Sequence, residues 1–459
     1  MRQGDAMVLL ESAVERNEYK LVLVKSDSQA IWIEHRNHGL RLPRIAIPRW
    51  ARRAEQLQKA VEATWHISTI VLDIIACEVG NVPCAVVEMT SSRRHDCLVA
   101  TSLDEISEEE LTIEELEVVK AILACSADVR GPFARLGWIQ EAKDWIRAEV
   151  GYDIAFTDEV HQFNASPAFT LARFATKTGP GYWLKATGAP NALEFQITRQ
   201  LARLWPEYLP RRIAAREDWN AWLMADGGTP LREIPYLATW KKAVTTMAML
   251  QRESIPHLPS LLTNGCRDQR LLVLLEHLDE MTDYLEAIMP LQTSTRVPRL
   301  THSQLETLRS VLQDACLRTI ELEIPDTLTH GDINPGNILF DGHQCVFIDW
   351  AEAAVGNPLV SFEHLAAYLT QDDEQAKGWL PVLRAHYRKH WLYHFPESTV
   401  DRALALAPLL AVATYLHGRG DWFRSPRRND RDFQAYARSL ARQMHRQALA
   451  PGLMEAKWK

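Results

Sequence analysis

At 459 residues the chain is too long for one ordinary hydrophobic core, and its length predicts two or three domains. An apolar fraction of 47% and a charged fraction of 24% are those of a soluble globular protein. A net charge of −8 argues against a protein that coats nucleic acid, because broad phosphate binding needs a basic face.

The seven cysteines, at 77, 84, 97, 125, 266, 316 and 345, are scattered and form no CxxC pair. Buried free thiols in a reducing compartment are expected, not disulfides or zinc. No basic-plus-apolar leader opens the chain, and no apolar run approaches the roughly 20 residues of a membrane helix. The expected setting is cytoplasmic, with no membrane partner. Near the C-terminus Arg424, Arg427, Arg428, Arg431, Arg438, Arg442 and Arg446 form a basic run. It reads as a solvated helix face, with phosphate binding as the alternative.

In chain order, the apolar runs Tyr19 to Lys25 and Ala30 to His35 flank Ser26-Asp27-Ser28 and predict a hairpin. Trp50 to His66 has a helical period, with Leu57, Ala60, Val61 and Trp65 on one face. Ile70 to Val79 and Val82 to Met89 predict strands joined at Gly80-Asn81, and helices follow near Ile113 to Cys125 and over Trp138 to Val150. Residues 1–150 therefore read as one α+β domain.

This order, with Leu42-Pro43-Arg44 before the first helix and Gly137-Trp138 before the last, resembles a Nudix hydrolase fold. The resemblance implies a Glu cluster of pattern G-x5-E-x7-R-E-U-x-E-E-x-G-U. Ile45, Ala51, Lys59, Ala60, Ala63, Thr64 and His66 stand where that pattern wants Gly, Glu, Arg, Glu, Glu, Glu and Gly. Without carboxylates nothing there holds a hard cation. The domain is expected to be non-catalytic, serving ligand sensing or support.

Residues 151–228 change texture. Val160 to Asn164, Ala168 to Thr176 and Tyr182 to Thr187 predict a three-stranded meander, with Trp219 to Ala225 as a last strand. Lys185 lies on the third strand, in Tyr-Trp-Leu-Lys-Ala, and an ammonium there needs an anionic partner. Glu194, opening a helix over Ala192 to Leu204, is the first candidate, and Glu207 competes.

Residues 229–459 are mainly amphipathic helix over Tyr236 to Met289 and Ser303 to Leu322. Then Ile338-Leu339-Phe340 and Val346-Phe347-Ile348 surround Asp341-Gly342, a strong hairpin signal. Asp332 and Asn337 precede one strand and Asp349 ends the other, so the hairpin brings all three toward one end.

His330-Gly331-Asp332-Ile333-Asn334-Pro335-Gly336-Asn337, followed by Ile348-Asp349-Trp350, resembles the aminoglycoside phosphotransferase and choline kinase-like superfamily over roughly residues 152–445. That resemblance implies a two-lobed protein-kinase-like fold, with a small β lobe and a large helical lobe. It implies an ATP- and Mg²⁺-dependent kinase acting on a hydroxyl of a small molecule, an amino-sugar, an amino alcohol or a related metabolite or antibiotic. Asp332 would orient the hydroxyl and accept its proton, while Asn337 and Asp349 would ligate Mg²⁺. Lys185 with Glu194 would position the nucleotide phosphates. Ser166, in the Asn164 to Pro167 turn, would cover them, and Met224 and Ala225 would face the adenine.

The pattern departs in one place: an Asp is usual shortly after Gly-x-Pro, and here Gly356-Asn357-Pro358 leads to Ser361 and Glu363. Gly331 in place of the Arg of His-Arg-Asp, and the lack of an Ala-Pro-Glu segment, favour a small acceptor over a protein. The acidic and aromatic residues Glu352, Glu363, Asp372, Asp373, Glu374, Trp379, Tyr387, Trp391, Asp421 and Trp422 suit a wall for an amine-bearing substrate. A ligand-sensing protein with a merely responsive kinase-like region is the alternative.

Overall fold

A computed structural model of the chain describes residues 16–36, 39–49, 52–75, 82–90, 98–125, 130–369, 374–418 and 426–450. The fold is mixed α+β, and its internal contacts divide the chain into two units, Met1–Phe195 with Arg211–Asp226, and Gln196–Pro210 with Gly227–Lys459.

The first unit opens with β1 (Arg16–Val24), β2 (Ile31–Arg36), β3 (Gly39–Arg41), β4 (Arg44–Pro48), α1 (Arg53–Trp65), β5 (Thr69–Ile75), β6 (Cys84–Met89), β7 (Leu98–Thr101), α2 (Ile113–Leu123) and α3 (Trp138–Val150). Seven strands form one sheet in the order β3-β2-β1-β6-β5, with β4 beside β1 and β7 beside β2. Strands β1 and β6 run parallel, from Lys20↔Cys84 to Val24↔Glu88.

Side chains alternate across the sheet. Leu21 and Leu23 pack with Leu57, Val61 and Trp65 of α1 on one face. Val22 and Val24 pack with Val119 of α2 and Ile139 and Ile146 of α3 on the other. Cover on both faces explains why β1 reads as a continuous apolar run instead of an alternating one. Lys20 is the polar exception within it, and its buried ammonium donates to Glu115 Oε2 at 2.8 Å and to the Glu110 carbonyl at 2.9 Å. Trp50, Ala51, the Gly80-Asn81 turn, Cys77 and Cys97 lie outside the described residues.

A second sheet follows, built from β8 (Phe156–Ser166), β9 (Phe169–Thr176), β10 (Tyr182–Ala186), β11 (Arg212–Arg216) and β12 (Ala221–Ala225), with helix α4 (Glu194–Leu204) after the third strand. Its order is β11-β12-β10-β9-β8. The meander and last strand read from sequence are therefore joined by a further strand, β11. Its Arg-Ile-Ala-Ala-Arg sequence has a single β-branched residue and no alternation.

The two sheets share one core. Ala172, Phe174, Leu184, Trp219 and Leu223 cluster with Phe133, Trp138 and Ile146 of the N-terminal region. Polar stitching adds to it: the buried Gln162 of β8 donates from Nε2 to the Val71 carbonyl at 3.0 Å and accepts the Val71 amide at 2.8 Å. That bidentate clamp sits where the β5–β6 register shifts, between Val71 and Asp73. Arg216 lies over the Trp219 ring at 3.6 Å and reaches Glu141 of α3 at 2.5 Å.

The second unit contains β13 (Thr229–Pro230), α5 (Leu237–Ser254), α6 (Leu258–Thr263), β14 (Arg267–Gln269), α7 (Leu271–Glu276), α8 (Leu278–Ile288), α9 (His302–Glu321), β15 (Thr327–Thr329), β16 (Ile338–Phe340), β17 (Cys345–Phe347), β18 (Ala354–Gly356), α10 (Pro358–Leu369), α11 (Glu374–Leu392), α12 (Glu397–Gly418) and α13 (Arg431–Ala448). Two small sheets, β13-β16-β17 and β14-β18-β15, sit among the helices. Helix α9 begins on a capping box in which Thr301 and Gln304 satisfy each other's backbone amides.

Helix α12 corrects one expectation. By length and composition it is apolar enough to cross a membrane, with a mean hydropathy of 1.3 over its best window, and 67% of that window is buried in the protein. Its leucines and alanines pack in two hydrophobic clusters with α7, α8, α9, α10, α11 and α13, as a core helix does. The described cysteines Cys84, Cys125, Cys266, Cys316 and Cys345 are free thiols.

Candidate active site

The motif residues of the second unit sit on the loop between β15 and β16 and at the end of β17. The hairpin forms because Asp341 Oδ1 accepts the amides of His343 and Gln344 at 2.8 Å each while Gly342 takes a φ of +100°. A rung closes the other end, where the Ile348 amide donates to the Asn337 carbonyl at 3.0 Å.

The loop is then fixed from within. Asn337 Nδ2 donates to the Asp332 carbonyl at 2.9 Å and lies 3.4 Å from Asp332 Oδ2. Asn334 accepts the Gly336 amide at 2.8 Å, and its own amide lies 3.3 Å from the Asp332 carbonyl. His330 is buried, and its Nε2–H donates to the Ile348 carbonyl at 2.8 Å. Its ring lies 4.5 Å from that of Trp350. Both contacts tie the two halves of the motif together, which is a structural use of that histidine.

Gly331 carries a φ of +74°, and a β-carbon on it would run into the main-chain carbonyl of Glu352. Positive φ and close backbone approach each demand glycine. Asp349 is a non-glycine residue in the left-handed region, at φ 67° and ψ 63°, which an aspartate tolerates better than most residues. The bend leaves Asp349 exposed at the point where the strand stops.

Because the Asn337 amide nitrogen is spent on Asp332, its Oδ1 is the atom available to a cation. It and the exposed Asp349 carboxylate are both oxygen donors, the kind a hard divalent ion takes. Among the described residues no group of three or more His, Cys, Asp or Glu side chains converges as a ready-made metal cage.

In the first unit Lys185 Nζ lies 2.5 Å from Glu194 Oε1 and 5.7 Å from the Trp222 ring centroid. The Glu194 side chain is 1% exposed and that of Lys185 is 15% exposed. Glu194 is thus the residue that meets the strand lysine. Met224 pairs with Trp183 and Ala225 with Tyr182, on the strand beside β10. Ser166 Oγ accepts the amides of Ala168 and Phe169 at 3.3 and 3.1 Å, and the adjacent Pro167 carbonyl accepts the Phe133 amide at 3.1 Å. The β8–β9 turn is therefore held by the N-terminal region, and Gly131 has no room for a β-carbon against Pro167.

Among the described residues, the five named for an acidic and aromatic wall whose side chains are described, Glu352, Glu363, Trp379, Tyr387 and Trp391, are engaged in the protein's own packing and ion pairs. Tyr387 and Trp391 are 0% and 1% exposed, and Tyr387 spends its hydroxyl on Gln251 and the Pro358 carbonyl. Glu352 pairs with Arg267, and the buried Glu363 pairs with Arg384 at 2.7 Å. Burial raises the Glu363 carboxyl while Arg384 opposes that shift. Trp379 packs on Trp240 at 6.0 Å. Asp372, Asp373, Asp421 and Trp422 lie outside the described residues. After Gly356, Asn357 Oδ1 caps helix α10 by accepting the amides of Leu359 and Val360, and Ser361 is buried.

One contact at Asp332 has no sequence signal. The Tyr368 hydroxyl, from α10, lies 3.4 Å from Asp332 Oδ1. Asn334, by contrast, was visible inside the motif and is identifiable by its place between Asp332 and Gly336.

Residues 262–398 match the model of the phosphotransferase enzyme family named APH, so the chain carries the domain of a phosphotransferase enzyme. Among solved structures, the chain is similar to a choline/ethanolamine kinase family protein from Mesorhizobium loti, with 14% identity, 70% of this chain and 99% of that chain covered, and a TM-score of 0.44. It is similar to a choline kinase from Cryptosporidium parvum Iowa II, with 12% identity, 67% and 95% covered, and a TM-score of 0.46. It is also similar to a macrolide 2′-phosphotransferase from Brachybacterium faecium, with 14% identity, 68% and 97% covered, and a TM-score of 0.41. No curated protein matches the chain.

Proposed function

We propose that this chain, which carries a phosphotransferase-enzyme domain over residues 262–398, is an ATP- and Mg²⁺-dependent kinase that moves the γ-phosphate to a hydroxyl of a small molecule. The observation that carries the reading is the self-locked loop, in which Asn337 fixes the Asp332 main chain at 2.9 Å and Asp349 stands exposed at the strand end.

In this reading Asp332 receives the acceptor hydroxyl and takes its proton as the oxygen bonds to the γ-phosphorus. The bond between that phosphorus and the β,γ-bridging oxygen breaks, and ADP leaves with the electron pair. Phosphoryl transfer demands little covalent help from the protein, so positioning and charge neutralisation supply the rate. Asn337 Oδ1 and the Asp349 carboxylate would hold Mg²⁺, which when bound neutralises phosphate charge. Lys185, kept in place by Glu194, would neutralise the nucleotide's inner phosphates. Ser166 would lie on the turn over the phosphates, and Met224 and Ala225 on the strand that reads the base.

The N-terminal region is proposed to be Nudix-like and non-catalytic. A mixed sheet with α1 on one face and α2 and α3 on the other supports the fold, and the residues Ala51, Ala60, Ala63 and Thr64 where the pattern wants Glu support the loss of hydrolysis. A second reading, in which this region senses a ligand for the kinase-like part, is favoured by the core it shares with the sheet that bears Lys185.

The test is a coupled ADP-release screen against amino-sugars, amino alcohols, nucleosides and choline-like alcohols. At least one class is expected to stimulate ADP release in wild-type protein and to lose that stimulation in Asp332→Ala. Uniform inactivity, with no Mg²⁺-dependent ATP binding, would sink the proposal.

A further inference from the structure

Within the basic run near the C-terminus, Arg431 and Arg446 are exposed while Arg438 and Arg442 are drawn into the protein. Helix α13 sets Arg438, Arg442 and Arg446 at four-residue steps, along one face. Arg438 is 8% exposed, and its Nη1 donates to the carbonyl of Ile288, the last residue of α8, at 3.1 Å. Arg442 Nη1 donates to Gln292 Oε1 at 2.9 Å. Arg299 Nη2 donates to the main-chain carbonyl of the same buried Gln292 at 2.7 Å. The Gln292 amide group is itself spent on the carbonyls of Ser294 and Val297, so the connector after α8 is folded around this glutamine.

Main-chain carbonyls at and just after the end of α8 account for one donor on Arg438 and one on Arg299, and the Gln292 side chain for one on Arg442. Each guanidinium has five, and the carbonyl dipoles carry only fractions of a charge. Three other partly buried arginines of this unit are paired with carboxylates: Arg267 with Glu352, Arg384 with Glu363, and Arg388 with Glu397 and Asp401. Among the described residues no carboxylate pairs with Arg299, Arg438 or Arg442. Burial lowers the affinity of Arg438 and Arg442 for their protons; Arg299 adds to this at Arg438 against an opposing Tyr284, and Arg438 and Arg446 add to it at Arg442. Unneutralised, forked donors held close together favour an oxyanion.

We propose that Arg299, Arg438 and Arg442 form a binding site for a compact multivalent oxyanion, inorganic phosphate or the phosphate group of a small monoester, with Arg446 at its rim. The recess of Arg438 excludes an extended polyanion, and a net charge of −8 opposes one. The site belongs to the hydrophobic cluster that holds α8, α9 and α13, whereas Ile333 and Trp350 of the motif belong to the other. Of the site's arginines, Arg438, Arg442 and Arg446 lie beyond the matched family region, residues 262–398, and Arg299 lies within it. The proposed chemistry uses none of these arginines, so the site is tested apart from it.

The test uses the full chain, with calorimetric titration of sodium phosphate and thermal melts in phosphate against sodium chloride of equal ionic strength. Wild-type protein is expected to bind phosphate saturably and to melt higher in it. Arg442→Gln and Arg299→Gln are each expected to weaken binding by about tenfold or more, while in chloride their melting points hold or rise as repulsion is relieved. Three results overturn the proposal: no saturable binding, wild-type affinity in both variants, or a lower melting point in chloride with the phosphate increment intact, which marks a purely structural cap. Tighter binding of single-stranded DNA or phosphatidylserine vesicles than of phosphate also overturns it.

Discussion

Asn337 donates its side-chain amide to the main-chain carbonyl of Asp332 at 2.9 Å, so the residue proposed to hold the metal also fixes the residue proposed to take the proton. The two roles are coupled through one amide group, whose nitrogen faces the loop and whose oxygen is left over. Asn337→Ala removes both halves. The proposed function then expects a fall in turnover of roughly 100-fold or more and a higher Mg²⁺ requirement, read from initial rates across a Mg²⁺ titration.

Gly331 and Gly342 separate backbone strain from steric collision. Both have positive φ, but a β-carbon at Gly342 meets open space while one at Gly331 meets the Glu352 carbonyl. Gly342→Ala is expected to cost about 1 kcal/mol and Gly331→Ala about 3 kcal/mol or more. Urea unfolding of the two variants checks the order, and equal losses would contradict it.

Lys185 and Glu194 form a pair whose carboxylate is 1% exposed. Taking away the lysine removes the ammonium that faces this buried carboxylate, and breaking a buried pair from one side costs about 3–5 kcal/mol. Lys185→Met is therefore expected to be less stable than the double variant Lys185→Met/Glu194→Gln, in which no charge remains. A double-mutant cycle by chemical denaturation measures this coupling.

Glu88 gives a pH signature to the N-terminal sheet. Burial pushes its carboxyl up to about 7 from 4.5, against the opposing hydrogen bonds from the Gly137 amide and Ser26. The folded state holds this proton more tightly than the unfolded state, so Glu88's contribution to stability falls as pH rises from about 4.5 to about 7 and is level above that. The full span is about 3 kcal/mol. Glu88→Gln is expected to gain on wild type in melts at pH 8 and not at pH 4.5, and a constant offset would count against it.

Much of the candidate site was legible because its signals are local. Asp341-Gly342 between apolar runs marks the hairpin, and the spacing of Asp332, Asn337 and Asp349 follows from it. Glu194 was readable as the partner of Lys185 because it opens the helix after the lysine's strand, although nine residues is a short separation. What escaped depends on distant contacts. Tyr368 reaches Asp332 across thirty-six residues, and nothing in its helix marks it. Tyr387 and Trp391 looked like a substrate wall because an aromatic pair one helical turn apart is the same pattern on a surface or in a core. Glu363 looked available because its partner Arg384 lies on another helix. The core common to the N-terminal sheet and the β8–β12 sheet arises from residues as far apart as Val22 and Leu223, beyond any periodicity.

The central claim is tested most directly by following transfer of radiolabelled γ-phosphate from ATP to an acceptor drawn from the screen, in wild-type protein and in Asp332→Ala, with ATP affinity measured alongside. The account expects labelled acceptor from wild type, a loss of about 1,000-fold or more in Asp332→Ala, and nearly unchanged Mg²⁺-ATP binding in that variant. Labelled acceptor formed at the wild-type rate by Asp332→Ala would contradict it.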